Sequence, residues 1–251
     1  MLAPEARAVG RSLRIYHAPG RGAELDGFYR RFLGPGELAF DAGAHAGDRT
    51  ACFRRLGARV AAVEPQPALQ RLLRRLFGGD GGVVREAALV GAAPGVGTLW
   101  INRRNPTIST ASAAFIAATD GAAGWEGEAW EERLECPVTT LDALAAMHGR
   151  PDFVKIDIEG FEAEALRGLS FMPRALSFEF TTIQRDVALE CLGLLAALGY
   201  RDFNASLGES LAFAHPAAVG AEALAVYVAG LPHAANSGDI YASILPTALD
   251  G

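Results

Sequence analysis

Lysine occurs once in this chain: of its 23 basic residues only Lys155 is not arginine. It stands inside a densely charged short stretch, Asp152-Phe153-Val154-Lys155-Ile156-Asp157-Ile158-Glu159-Gly160-Phe161-Glu162. On a strand Val154, Ile156 and Ile158 share one face, while Lys155, Asp157 and Glu159 share the other and converge near its carboxyl end. Burying three charges without mutual pairing costs several kcal/mol, so they must pair, bind a ligand or emerge into a cleft. In a cleft, Asp157 or Glu159 can act as a general base, with Lys155 lowering the pKa of a neighbour or pairing with the carboxylates. Glu179, between Phe178 and Phe180, adds a carboxylate that with Asp157 and Glu159 can make an oxygen-rich site for Mg²⁺. Such a metal is compatible with the residues without being predicted by them.

A second stretch, Asp41-Ala42-Gly43-Ala44-His45-Ala46-Gly47-Asp48, turns tightly on its glycines before a helix whose first N–H groups are free. A dinucleotide loop would read GxGxxG and face a pyrophosphate, whereas this one reads DxGxxxG and sets a carboxylate where a phosphate would be repelled. Asp41 therefore suits a cationic ligand. Glu64 follows at about the distance at which an acidic residue takes ribose hydroxyls in nucleotide-binding βαβ units. Glu86, before Ala87 and Ala88, is placed to accept from the exocyclic amine of an adenine.

The elements that must position these residues alternate. Short apolar runs at 38–40, 59–63, 83–85, 153–156 and 175–180 read as strands, and amphipathic runs at 48–56, 67–77, 141–147, 161–169 and 185–198 as helices. Strands at 200–203 and 224–229 complete an expected α/β fold: a doubly wound, mostly parallel sheet of about seven strands. Residues 1–36 read as an N-terminal appendage with one helix at 24–33. Residues 37–230 form the main domain, interrupted by a capping insertion at about 102–137, and 231–251 form a C-terminal tail. Trp125 and Trp130 in the insertion can clamp an acceptor or close a lid. His17, His148, His215 and His233 lack ligand spacing and are expected in surface or packing roles.

Taken in order, the 41–48 loop, Glu64, Thr139-Thr140-Leu141-Asp142, Val154-Lys155-Ile156-Asp157-Ile158-Glu159-Gly160-Phe161-Glu162 and Leu166-Arg167-Gly168-Leu169 resemble the FkbM family of S-adenosylmethionine-dependent methyltransferases over roughly residues 36–180. His45 departs from the pattern, which more often has Asn there. The resemblance implies a class I methyltransferase-like (Rossmann-like) sheet. It also implies Asp41, Gly43, His45, Gly47, Thr50, Glu64, Glu86, Ala88 and Asp157 as residues that hold S-adenosylmethionine, and Asp157, Glu159, Lys155 and His45 as residues at the reacting centre. It further implies O-methylation of a hydroxyl on a small molecule, natural product or glycan. An NAD-linked oxidoreductase and a cofactor-binding protein without turnover are the rivals, the first disfavoured by Asp41 and the missing GxGxxG.

Composition narrows the partners. With 50% hydrophobic and 21% charged residues the chain can build a large core, and its net charge of −6 disfavours nucleic acid and anionic membrane surfaces. No run approaches 18 apolar residues, and Arg7, Arg11 and Arg14 precede no signal-type apolar segment. Cys52, Cys136 and Cys191 are odd in number and far apart, so free thiols in a reducing cytoplasm are expected.

Overall fold

The computed structural model describes residues 4–250. Two helices, α1 (Pro4–Tyr16) and α2 (Arg21–Tyr29), lead into β1 (Leu38–Ala42), α3 (Asp48–Arg55), β2 (Arg59–Val63), α4 (Pro67–Phe77) and β3 (Val83–Glu86). A small second sheet follows, with β4 (Leu89–Val90), β5 (Gly95–Ile101) and, after a 3₁₀ turn at Pro106–Ile108 and α5 (Ala113–Thr119), β6 (Glu132–Thr139). The main sheet resumes with α6 (Leu141–His148), β7 (Phe153–Ile156), α7 (Glu162–Arg167), β8 (Ala175–Thr181), α8 (Arg185–Leu198), β9 (Asp202–Leu207), α9 (Ala221–Gly230) and β10 (Ser237–Ser243).

The main sheet has seven strands in the order β3-β2-β1-β7-β8-β10-β9. All run parallel except β10, which lies antiparallel between β8 and β9. This is a doubly wound, mostly parallel sheet, as the sequence pattern predicts. The chain winds outward from β1 to β3 and then returns to β7 on the other side of β1, so the order reverses between β1 and β7. At such a switch point the loops after the two strands part and leave a crevice.

Strand alternation feeds two cores. Leu38, Phe40 and Ala42 of β1 join Val154 and Ile156 of β7 and the apolar faces of α6 to α9 on one side. Ala39, with Phe153, meets the aromatic face of α2 and the inner faces of α3 and α4 on the other. The helix ends follow local chemistry: Thr140 Oγ1 accepts from Ala143 N at 3.0 Å to cap α6, Ser112 caps α5 in the same way, and Gly199 at φ 128° stops α8.

Three expectations change. Residues 224–229, expected as a strand, lie in α9, because the Ala-rich run buries Leu224 and Val228, four apart, and leaves Val226 exposed. The seventh strand is instead β10, inside the expected tail. Its Gly238 and Asp239 read locally as turn residues, yet pairing on both sides with β8 and β9 overrides that preference. The N-terminal segment holds α1 as well as α2. No described helix is long and apolar enough to cross a membrane.

Candidate functional site

A cavity of about 950 Å³ opens over the carboxyl ends of β1, β2 and β7, lined by Asp41, Gly43, His45, Glu64, Ala88, Lys155, Asp157 and Glu159 among others. The loop after β1 crosses the end of β7 so closely that a Cβ on Gly43, which sits at φ +85°, would lie 1.7 Å from the Asp157 carbonyl oxygen. Only glycine permits this approach. Asp41 is buried, and its Oδ2 accepts from Thr50 Oγ1 at 2.5 Å. Thr50, itself fully buried, thus orients the carboxylate from behind rather than lining the cavity. Gly47 also lies outside the lining: at φ +79° it starts α3 and packs on Leu73 and Phe77.

Glu64 is buried at the end of β2, where Oε2 accepts from His45 N at 3.0 Å and Oε1 from Gln66 N at 2.8 Å. Each oxygen takes one backbone N–H and keeps acceptor capacity for a ligand's diol. His45, at φ 45°, holds Nε2 3.3 Å from Ser12 Oγ and 3.5 Å from Thr107 Oγ1, with Tyr16 edge-on to its ring. Burial lowers the pKa of this imidazole and favours its neutral form. The Glu86 carboxylate is 2.9 Å from His148 Nε2 and is not among the residues lining the cavity. The wall at that point is Ala88, Leu89 and Val90 with Leu99 and Phe161, an apolar slot suited to a flat ring.

Alternation along β7 holds through Ile156, after which the chain turns. Glu159 at φ 57° and Gly160 at φ 85° make the turn. Glu162 clamps it, Oε1 accepting from Ile158 N at 3.0 Å and Gly160 N at 3.2 Å. Lys155 is 1% exposed and fully engaged, its Nζ 2.9 Å from Asp157 Oδ2 and 2.8 Å from Asp239 Oδ1. Burial works against the charge on Asp157, yet Lys155 prevails and holds its carboxyl below the usual range. Burial, followed by the nearby Asp157, pushes Glu159 and Glu179 well above theirs.

A second cavity of about 700 Å³ adjoins the first and shares Tyr16, Thr107, Asp157, Glu159, Glu179 and Glu209 with it, adding Trp125, Thr181, Asn236 and Asp239. Of the two expected tryptophans Trp125 lines this cavity, while Trp130 spends its indole N–H on Ile108 O at 2.8 Å. The turn at 106–108 reaches the first cavity through Thr107 and is tied down by Gln66 Nε2, which donates to Pro106 O at 3.0 Å. Sequence reasoning missed Tyr16, Thr107, Glu209 and Asp239. Only Asp239, at the head of the apolar run Ile240-Tyr241-Ala242, gave a local signal for any of them.

Asp41, Asp48, Glu64, Asp157, Glu159, Glu179 and Glu209 line the first cavity against only Arg49 and Lys155, so it is strongly acidic. Burial pushes Asp41 up to about 6 and Glu64 and Glu162 up to about 7, despite hydrogen bonds that pull each down. These carboxyls bind protons more tightly folded than unfolded. Their stabilising contribution is therefore complete below about pH 4 and lost as pH rises through about 6 to 7. The unliganded chain is expected to melt several degrees lower at pH 7.5 than at pH 5, with a shallower slope for Glu64→Gln. A melting temperature that stays level or climbs over that range would contradict the assignment.

The family model of the methyltransferase FkbM domain matches residues 41–201. Similar solved structures include the methyltransferase FkbM from Methylobacillus flagellatus, at 16% identity over 86% of this chain and 50% of that one, with a TM-score of 0.46. This chain thus spans half the length of that protein. They also include a TehB-like SAM-dependent methyltransferase from Corynebacterium glutamicum, at 12% identity over 93% and 95% with a TM-score of 0.48. A third is an O-methyltransferase from Bacillus cereus in complex with SAH, at 11% identity over 94% and 90% with a TM-score of 0.41. No curated relative matches the chain.

Proposed function

The chain belongs to the FkbM methyltransferase family and is a SAM-dependent methyltransferase, and from that premise we propose that it O-methylates a hydroxyl of an uncharged small molecule or glycan. The observation that carries this reading is the acidic wall, Asp157, Glu159 and Glu179, shared by two adjoining cavities. Family membership sets aside the NAD-linked alternative.

We assign the first cavity to the cofactor. Its residues suit a ligand that carries a sulfonium and an ammonium but no phosphate: carboxylates at Asp41 and Glu64, and an apolar slot at Ala88, Val90, Leu99 and Phe161. Glu64 would hold the ribose diol, with Asp41 and its neighbours facing the cationic end. His45 lines this cavity and not the second, which favours a cofactor-side role over that of general base. Lys155, spent on two aspartates, acts as a positioning residue for Asp157.

The second cavity takes the acceptor. S-adenosylmethionine supplies an electrophilic methyl group, and the residues of this chain align a hydroxyl in line with it and exclude water. The acceptor oxygen would take the methyl carbon as the C–S bond pair returns to sulfur, and Asp157, Glu159 and Glu179 are placed to receive the hydroxyl proton. Trp125 and the 102–137 segment close the acceptor side. Among the described residues the wall offers an anionic acceptor no free cation, since Lys155 is spent on two aspartates, so phosphorylated compounds and nucleic acid are disfavoured. The three buried free cysteines fit a cytoplasmic protein.

Isothermal titration with S-adenosylhomocysteine is expected to give micromolar affinity, with NAD in a parallel cell giving none. Affinity should rise by up to about tenfold between pH 6 and pH 8 as Glu64 ionises, and Glu64→Gln should flatten that rise. A panel of neutral glycosides and polyols beside their phosphorylated counterparts then tests the acceptor class. Methyl transfer to the phosphorylated members alone would overturn it, and tight binding without any turnover would favour the non-catalytic alternative.

A further inference from the structure

The wall between the two cavities has more carboxylates than its cations can balance. Lys155 serves both Asp157 and Asp239, and Arg49 is committed to Asp48 and Glu209. Glu159 and Glu179 are left without an ion-pair partner among the described residues. Glu159 is the sharper case. It is 7% exposed and lines both cavities, yet its carboxylate accepts no hydrogen bond and joins no ion pair among the described residues. Its backbone carbonyl is satisfied by Thr110 Oγ1 at 2.6 Å and its turn is clamped by Glu162, so the side chain is held where it is while its oxygens lack a partner. A buried carboxylate without a donor is costly unless a ligand completes it.

One oxygen each from Asp157, Glu159 and Glu179 lie within 4.8 Å of one another. A cation bound to oxygen at about 2.1 Å holds neighbouring ligands roughly 3 Å apart and opposite ones roughly 4 Å apart, so small rotamer adjustments bring the three into one coordination sphere. All-oxygen, all-carboxylate ligation selects a hard divalent ion such as Mg²⁺ or Mn²⁺ over zinc or copper.

We propose that Asp157, Glu159 and Glu179 bind one hard divalent cation at the junction of the two cavities, and that its open positions take the acceptor hydroxyl. This rests on the methyltransferase reading above and refines it. The cation lowers the pKa of the coordinated hydroxyl, its proton passes to a carboxylate oxygen not engaged with the metal, and the alkoxide then attacks the methyl carbon. An acceptor with two adjacent hydroxyls would chelate the ion, which narrows the substrate class to vicinal diols such as sugars or catechol-type rings.

The test is Mn²⁺ binding to the full chain, followed by electron paramagnetic resonance and by titration calorimetry, with S-adenosylhomocysteine titrated into the same samples. One Mn²⁺ per chain is expected, displaceable by Mg²⁺ and weakened at least tenfold in Glu159→Gln and in Glu179→Gln, while S-adenosylhomocysteine affinity changes less than threefold. A wild-type chain that binds S-adenosylhomocysteine but no Mn²⁺, with or without that ligand, overturns the metal site and leaves the methyltransferase reading standing. Mn²⁺ bound equally well by both variants, each checked as folded by its melting curve, overturns it too. One Mn²⁺ lost with Glu159→Gln from a chain that fails to bind S-adenosylhomocysteine supports the metal and removes the cofactor assignment.

Discussion

Gly43→Ala is expected to destroy cofactor binding and to lower the melting temperature by more than roughly 10 °C. Two costs coincide at this position. The residue sits at φ +85°, where an L side chain is strained by about 1–2 kcal/mol. The added Cβ would also fall 1.7 Å from the Asp157 carbonyl oxygen and 2.8 Å from its carbon. Those are backbone atoms next to β7, tied back by Asp157 N donating to Ala42 O at 2.9 Å, so they cannot swing aside as a side chain could. The loop after β1 must lift off the end of β7, and Asp41, His45 and the Glu64 contact to His45 N move with it. Gly36 provides the comparison: at φ +83° it has no atom within 4 Å of the point a Cβ would occupy, so Gly36→Ala carries the strain alone. Thermal melts and S-adenosylhomocysteine titrations of both variants decide the matter. Equal, mild effects at the two positions would show that the loops after β1 and β7 cross with room to spare.

Lys155→Met is the second large effect, expected at about 3–5 kcal/mol of lost stability, the range for removing one partner of a buried ion pair. For a chain of this size that is roughly 10 °C in melting temperature. The methionine fills nearly the same volume but leaves Asp157 and Asp239 facing one another without the ammonium between them. The loss should extend beyond the pair, because Tyr241 Oη donates to Asp239 Oδ2 at 3.2 Å and lies 3.4 Å from Tyr29 Oη, linking the site to the aromatic face of α2. The double variant Lys155→Met/Asp239→Asn should recover part of the loss, since one uncompensated charge goes with the lysine. Lys155→Arg is expected to be harmful as well: a planar guanidinium does not fit a site shaped for a compact ammonium that is 1% exposed. A neutral Lys155→Arg would mean that the chain's single lysine reflects composition alone.

Family, sheet type and the chemistry of the first loop were readable from sequence because they depend on local patterns: short apolar runs at β1 and β2, two-residue alternation along β7, glycines at tight turns, and an acidic residue at each of these strand ends. Lys155, Asp157 and Glu159 were recognisable as a group for the same reason. The strand expected at 224–229 was misplaced where a local preference met a competing tertiary demand. Packing on α8 makes the Ala-rich run a helix. Asp239 reached the site because β10, from the end of the chain, slots between β8 and β9, so that Asp239 faces Lys155 across 84 positions of sequence. Tyr16 and Glu209 likewise come from segments with no motif of their own. Residue order settles which groups carry charge and which short elements present them. Tertiary structure alone decided which of those charges are cancelled: the lysine is spent on two aspartates, while Glu159 is held buried and unpaired between two cavities. The physical reason is that pairing and desolvation depend on distances across the fold, which a linear pattern does not contain.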